Sequence, residues 1–232
     1  MITVRLASER GHFDHGWLDT YHSFSFGEYQ DPEHMGFRSL RVINEDRVQP
    51  GAGFPTHHHR DMEIITWVVA GSLSHKDSLG NEFTLQAGAV QRMSAGTGVT
   101  HSEFNASDEH PVHFLQIWVV PAEPGMPPGY EEHALAETPG HEGLQLLASP
   151  DGRLGALTIH QDTTIWTTRL SPGQETVQPV APGRHGWVQL IGGEAQVNGR
   201  RLQASDGAAL TDESRLHILS QTASELLFFD LA

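Results

Sequence analysis

Short runs of β-branched and aromatic residues, separated by glycine and proline, recur along the whole length of this chain. Its 232 residues include 24 Gly and 13 Pro. Runs of this length and composition are typical of strands, and Gly and Pro are typical of the turns between them. The pattern predicts an all-β fold, with one short helix at residues 129–137. The predicted strands are residues 63–69, 112–120, 156–160, 164–170, 187–191 and 225–231.

A weak internal repeat divides the chain into two similar halves. In each half a strand beginning with Trp leads to a glycine, then to a hairpin signal, then to a Gly-Ala pair. The first copy has residues 67–71, Gly80-Asn81 and Gly88-Ala89, and the second has residues 187–192, Asn198-Gly199 and Gly207-Ala208. Duplication of a small β-barrel leaves such a repeat. We expect domains at residues 1–130 and 151–232, joined by a linker at 131–150 within a Pro- and Gly-rich stretch.

Composition excludes several classes of function. The chain has no Cys, so disulfide scaffolds, thiolate metal sites and cysteine nucleophiles are excluded. Fourteen Lys and Arg against 29 Asp and Glu give a net charge of −15, which disfavours direct binding to nucleic acid. The 16 His remain available, so metal or acid–base chemistry has to use imidazole and carboxylate.

Targeting signals are not evident in the sequence. Charged residues follow Leu6 almost at once, which is incompatible with the apolar core of a signal peptide. No apolar run approaches the length that spans a membrane. We therefore expect a cytoplasmic protein without a membrane partner.

Two short stretches in the first half bring together residues that bind metals. In an extended chain, alternate side chains share a face, so His57 and His59 point one way and His58 the other. Two imidazoles about 7 Å apart along a strand can converge on one ion. His101 and Glu103 repeat this spacing after a bend at Gly96 and Gly98. Together the two pairs predict a site of three nitrogens and one oxygen.

This set of ligands suits Fe, Ni, Cu, Mn or Zn, because without sulfur the softness of the ligands does not discriminate among them. Four protein ligands on an octahedral ion leave two positions open, which indicates binding of a substrate or dioxygen. Glu63 is open to three interpretations: a ligand, a solvated strand residue, or, as we favour, a hydrogen-bond acceptor for a ligating imidazole.

Other residues and motifs predict no further chemistry. Four histidines lack the ligand spacing and are interpreted as non-ligands or as pocket lining. They are His22, His75, His110 and His113. Gly96-Thr97-Gly98 lacks the third glycine of a dinucleotide loop, and the chain has neither a nucleophile elbow nor a phosphate-binding loop, so no organic cofactor is expected.

The motifs resemble those of a known family. The spacing Gly51-x5-His57-x-His59-x3-Glu63, followed by Gly-x-Gly-x-x-His, is similar to the two motifs of the cupin superfamily. Over residues 5–130 the chain more narrowly resembles the pirin family, and especially its bacterial pirin-like quercetinases. The stretches that carry the resemblance lie at residues 14–18, 22–26, 36–46, 53–63 and 91–103.

The resemblance implies a bicupin, with two tandem double-stranded β-helix (jelly-roll) barrels. In that family the first barrel binds one metal, here through His57, His59, His101 and Glu103. The second barrel has lost its ligands, in agreement with Gln178 and Val180 near the positions that the repeat assigns to His57 and His59. The usual carboxylate ligand of cupins corresponds to Glu63 in this chain. The resemblance implies that Glu103 is the carboxylate ligand here instead. His58, where the family often has Pro, points away from the ion.

The resemblance also implies an activity. We expect a metal-dependent dioxygenase, similar to quercetin 2,3-dioxygenase, that opens the flavonol heterocycle with O2, releases carbon monoxide and leaves a depside. Fe(II) is the expected ion, with Ni, Co, Cu, Mn and Zn as alternatives. Glu103, or less favourably Glu63, would accept the proton of the substrate's 3-hydroxyl. The expected apolar walls of the substrate pocket are Phe24, Phe26, Phe37 and Met93.

The same family implies an alternative function. Eukaryotic relatives resemble nuclear cofactors of transcription factors, and some bacterial ones modulate metabolic enzymes. The chain would then be a metal- or redox-dependent interaction module with a protein partner, and its dioxygenase activity would be incidental. In either case a monomer is expected.

Overall fold

The computed structural model describes residues 1–134 and 143–232 of the chain. Within these residues it has 22 strands and two single turns of 3₁₀ helix, at Ala7–Glu9 and Arg153–Gly155. The all-β prediction is confirmed. No helix in the described residues is long and apolar enough to cross a bilayer.

The chain forms two compact units. The first unit contains described residues 11–134 and 157–161, and the second contains 1–10, 143–156 and 162–232. This division differs from the expected boundaries, because the first ten residues group with the second unit and residues 157–161 with the first. The stretch expected to be a linker also carries strand residues at both ends.

The first unit contains two antiparallel sheets, and its short strand at Leu157–Thr158 belongs to neither of them. Its strands are β2 (Gly11–Asp14), β3 (Leu18–His22), β4 (Leu40–Val48), β5 (Gly53–His59), β6 (Glu63–Ala70), β7 (Ser72–Asp77), β8 (Glu82–Gln86), β9 (Ala89–Ser94), β10 (Val99–Asn105), β11 (Val112–Val119), β12 (Gly129–Ala134) and β14 (Leu157–Thr158). The larger sheet has the order β12-β9-β6-β11-β4-β3-β2 and the smaller β5-β10-β7-β8. Alternating buried residues along β10 give this strand an inward and an outward face, whereas the middle of β4 is buried on both faces.

The second unit repeats this topology. Its strands are β1 (Ile2–Arg5), β13 (Gln145–Ser149), β15 (Thr163–Leu170), β16 (Glu175–Pro179), β17 (His185–Gly192), β18 (Glu194–Val197), β19 (Arg200–Gln203), β20 (Gly207–Leu210), β21 (Arg215–Ser220) and β22 (Ser224–Leu231). One sheet runs β1-β20-β17-β22-β15-β13 and the other β16-β21-β18-β19. Strands β6 to β9 therefore correspond to β17 to β20, as the internal repeat predicted.

The hairpin signal of the second copy forms the turn that its residues favour. Asn198 and Gly199 connect β18 to β19, and both have positive φ, at 45° and 79°. Two consecutive residues with positive φ are typical of the tight turn that matches the twist of antiparallel strands. In the first copy, Gly80-Asn81 lies between β7 and β8.

Two local predictions are wrong. The expected helix at residues 129–137 is a strand over Gly129–Ala134, which pairs with β9, and its last three residues lie outside the described residues. Nine residues are too few to separate helical from extended periodicity, and pairing with a free sheet edge decides the outcome. The strand expected at residues 156–160 is limited to Leu157–Thr158.

Candidate metal centre

Three predicted ligands meet where β5 pairs with β10. His57 is the cross-strand partner of His101, and His59 lies two residues further along β5 on the same face. The ring centroids are 4.5 Å apart for His57 and His101, 4.7 Å for His57 and His59, and 4.9 Å for His59 and His101. Nitrogens of the three rings all lie within 4.8 Å of one another. The exposed ring of His58 lies on the other face of the strand, against Gly98.

The electrostatic environment keeps two of these rings neutral at pH 7. Burial lowers the pKa of His101 to about 3, with a smaller contribution from His57. Burial likewise lowers the pKa of His59 to about 4, aided by His101 and His57. Metals bind the neutral form of imidazole, so these rings need not lose a proton to coordinate.

Hydrogen bonding leaves nitrogen lone pairs available in the cluster. His57 Nδ1 lies 2.8 Å from the carbonyl oxygen of Pro55, which can only accept, so Nδ1 carries the hydrogen and Nε2 the lone pair. His101 is buried, and both of its ring nitrogens have no hydrogen-bond partner among the described residues. An unpartnered buried imidazole is costly unless a ligand or ion fills the position. The cluster therefore fits a divalent metal ion.

Glu103, the fourth predicted ligand, belongs to an adjoining group. A carboxylate oxygen of Glu103 lies within 4.8 Å of nitrogens of His75 and His101, and all three residues are buried. The structure thus divides the predicted ligands between two groups that share His101. The β5–β10 pairing shifts register between His101 and Glu103, with one extra residue on β5, so Glu103 lies opposite Phe54.

Amide side chains of the larger sheet hold the Glu103 carboxylate. Gln116 Nε2 donates to Oε2 at 2.8 Å, and Gln91 Nε2 donates to Oε1 at 3.0 Å. The hydroxyl of Tyr130 donates to the Gln91 oxygen at 2.9 Å. Both carboxylate oxygens thus have donors, and the side chain is fixed beside His101.

His75 is a candidate ligand that its sequence environment did not predict. Its ring centroid lies 5.3 Å from that of His101 and 4.8 Å from that of Tyr130. Its Nδ1 has no partner among the described residues, and its Nε2 lies 3.4 Å from Asp77 Oδ2. The signal was available, because His75-x-Asp77 has the same two-residue spacing as the two predicted ligand pairs. The prediction that His75 lacks a ligand spacing overlooks this pair.

Glu63 does not have the role that we favoured for it. Its carboxylate is buried, and Oε2 lies 3.2 Å from both the backbone nitrogen and Nδ1 of His160. Glu63 therefore bonds an imidazole that is absent from both groups of candidate ligands. Its contacts connect β6 to residues 157–161 of the same unit.

The expected apolar walls are only partly correct. Phe26 lines a cavity beside the cluster, and its ring lies 5.3 Å from Trp118, which in turn lies 5.0 Å from His59. Met93 is fully buried among Ile64, Ala95 and Val99. Phe24 is 2% exposed and packs as core. Phe37 forms an isolated bridge with Leu40.

Comparison with known proteins places the chain in a family. Residues 3–119 match the pirin family, and residues 146–231 match the quercetinase C-terminal cupin domain. The chain belongs to the pirin family. Its two-unit fold is thus the bicupin that the resemblance implied.

Relatives of this pirin are similar over its full length. A quercetin 2,3-dioxygenase of Escherichia coli K12 is 46% identical over 231 residues, which are 100% of this chain and 99% of the relative. A pirin-like protein of Caulobacter vibrioides is 38% identical over 233 residues and the whole of both chains.

Solved structures agree with this relationship. The crystal structure of E. coli YhhW has a TM-score of 0.97 and 45% identity, covering 100% of this chain and 98% of that one. A structure of the bacterial pirin YhhW in complex with nickel(II) has a TM-score of 0.95 and 46% identity, covering 100% and 99%.

Proposed function

We propose that this protein is a metal-dependent dioxygenase that opens the heterocycle of a flavonol such as quercetin with O2 and releases carbon monoxide. The observation that carries the proposal is the convergence of His57, His59 and His101 beside the buried carboxylate of Glu103. Identity of 46% over the full length to the E. coli quercetin 2,3-dioxygenase supports the substrate class.

We assign the metal to His57, His59 and His101, with Glu103 as the fourth ligand. Glu103 would complete this set, because a carboxylate oxygen of Glu103 lies within 4.8 Å of a nitrogen of His101. A set of nitrogen and carboxylate ligands with open positions is typical of non-haem Fe(II) oxygenases, so Fe(II) is the ion that we propose. Nickel is the alternative that the E. coli nickel(II) complex supports.

Once bound, the metal supplies Lewis-acid activation of the substrate oxygen and an electronic connection to dioxygen. The protein's own contribution is to place a proton acceptor and to exclude water. Glu103, held by Gln91 and Gln116, accepts the proton of the flavonol 3-hydroxyl at a carboxylate oxygen. Trp118 packs edge-on against His59 and shields that ring.

The test is oxygen-dependent bleaching of quercetin by purified protein loaded with Fe(II), Ni, Co, Mn or Cu. We expect turnover with at least one ion, carbon monoxide as a product, and loss of at least 100-fold in kcat in His101→Ala. His58→Ala is the matched control, because this histidine is adjacent in sequence but exposed on the opposite face, and it should keep full activity. Absence of turnover with every ion would refute the proposal.

A further inference from the structure

A cavity of about 220 Å³ lies in the first unit among strands β2 to β5. Aromatic rings of Phe13, Phe26 and Phe54 form much of its wall. Polar side chains reach it from β3 and β4, among them Thr20, Asn44 and Asp46. The cavity is smaller than the roughly 300–1,000 Å³ of sites that enclose a complete drug-sized ligand. Its volume and aromatic wall suit a single aromatic ring.

The cavity adjoins the histidine cluster. Phe26 contacts Trp118, and Trp118 contacts His59, with ring centroids 5.3 Å and 5.0 Å apart. Phe54 lies on the same strand as His57 and is the cross-strand partner of Glu103. We therefore expect a multi-ring substrate bound at the cluster to reach the cavity with one ring.

One buried hydrogen-bond acceptor at the wall has no donor in the described part of the chain, and a second acceptor lies two residues away on β4. The amide oxygen of Asn44 is buried and has no partner among the described residues, and the whole residue is 4% exposed. Asp46, also at the wall, accepts a hydrogen bond from Thr20 at Oδ1, at 2.5 Å. Buried acceptors without donors are costly in an otherwise apolar wall, and a bound hydroxyl group removes that cost.

The two side chains share a face of β4. Asn44 and Asp46 are two residues apart on the strand, and both line the cavity. Gln116, which holds Glu103, is the cross-strand partner of Asn44. The acceptors are thus part of the same inner surface as the residues that position the carboxylate.

We infer that this cavity binds the hydroxylated pendant ring of the flavonol, with Asn44 and Asp46 accepting hydrogen bonds from its hydroxyl groups. Phe13, Phe26 and Phe54 contact the apolar parts of the ring. The inference rests on the proposed function for the substrate class. It adds a specificity site for phenolic hydroxyls that is separate from the metal ligands.

Two flavonols that differ only in the pendant ring test the inference. One is quercetin, which carries two hydroxyls on that ring, and the other is its analogue without them. The measured quantity is the ratio of their kcat/KM values. In the Asn44→Leu variant, which keeps side-chain size and removes the acceptor, we expect this ratio to fall about tenfold, through KM for quercetin. Gln178→Leu replaces another carboxamide side chain by leucine, in the second unit, and should leave the ratio unchanged. An unaltered ratio in Asn44→Leu would overturn the inference.

A binding measurement on the unmodified protein keeps the inference testable if the variant does not fold. Trp118 is adjacent to Phe26, so quenching of tryptophan fluorescence under anaerobic conditions reports occupancy. We expect quercetin to bind about tenfold more tightly than the analogue. Tighter binding of quercetin than of the analogue, without turnover, would refute the proposed function alone. Turnover of quercetin with equal binding of the two ligands would refute the inference alone.

Discussion

Asp46 gives the first unit a pH-dependent stability. Burial raises the pKa of Asp46 to about 7, although the hydrogen bond from Thr20 opposes the shift. In the unfolded chain this carboxyl ionises near 3.8, so between these values the folded state binds more protons than the unfolded state. The contribution of Asp46 to the free energy of unfolding is therefore greatest at low pH and declines as the pH rises through this window.

Asp46→Asn removes this titration. We expect the variant to gain stability relative to the native protein as the pH rises from 5 to 8, measured by urea unfolding of metal-free protein. The variant has to be compared with the native protein at each pH. The lowered pKa values of His59 and His101 make the stability of both proteins rise with pH below about 6.5. Asp108→Asn, at an exposed position, is the control. A constant difference between Asp46→Asn and the native protein across this range would contradict the prediction.

Gln116 positions the proposed proton acceptor without reaching the metal. Its amide donates to Glu103 Oε2 at 2.8 Å, and its own oxygen accepts from Thr66 at 2.9 Å. Gln116→Leu leaves one carboxylate oxygen without its donor, so we expect kcat for quercetin to fall about tenfold. The metal content, by elemental analysis, and KM should stay close to native values. Loss of metal together with activity would instead indicate that Gln116 supports coordination.

The sequence predicts the positions of some site residues but not the hydrogen-bond partners of others. Alternation along an extended chain placed His57 and His59 on one face and His58 on the other, because a strand has a fixed two-residue period. The partners of Glu103 could not be predicted, because Gln91 and Gln116 come from strands that approach only after folding. Glu63 was misassigned for the same reason: its partner His160 lies 97 residues away.

At the scale of elements, the close approach of β5 and β10 brings the candidate ligands together. Gly53 has no side chain, and a Cβ there would lie 2.3 Å from the Glu103 carbonyl oxygen and 2.5 Å from Phe104 Cα. Both contacts are backbone atoms, which cannot rotate away. The two strands must separate to admit even a methyl group.

Gly53→Ala should therefore weaken metal binding as well as stability. We expect a loss of about 1–3 kcal/mol in the free energy of unfolding of metal-free protein. Separation of the strands also moves His57 and His59 relative to His101, so affinity for Ni(II), measured by calorimetric titration, should fall. Gly192→Ala is a suitable control, because a Cβ there meets no atom within 4 Å. Native affinity in a destabilised Gly53→Ala protein would show that the pairing does not set the ligand geometry.

Strands could be predicted from the sequence where both the composition and the length of a run favoured a strand. The predicted strands at residues 63–69 and 164–170 differ from β6 and β15 by one residue at an end, because β-branched residues dominate both. The helix predicted at residues 129–137 is wrong, because the pairing of Gly129–Ala134 with β9 depends on a sheet edge that no local pattern reveals. Register irregularities, such as that between His101 and Glu103, were equally out of reach.

At the scale of the whole molecule, the two units share a topology but differ in their interiors. Where His57 pairs with His101 in the first unit, Gln178 pairs with Leu216 in the second. Leu216, Ile218 and Val180 all belong to the apolar core of the second unit. The groups of three candidate metal ligands found among the described residues both lie in the first unit. These differences support our proposal that the second unit keeps the fold without a metal.

This asymmetry predicts where a metal ion acts on the chain. An ion that binds only the folded site stabilises the elements that supply its ligands, in proportion to the logarithm of its concentration over Kd. We expect added Ni(II) to slow amide hydrogen exchange in β5 and β10, and a chelator to reverse the effect. The corresponding strands β16 and β21 are the internal control, because they have the same pairing but no histidine pair, and their exchange should not change. His101→Ala should abolish the protection of β5 and β10, whereas His58→Ala should retain it. Equal protection of β16 and β21 would place a metal site in the second unit as well.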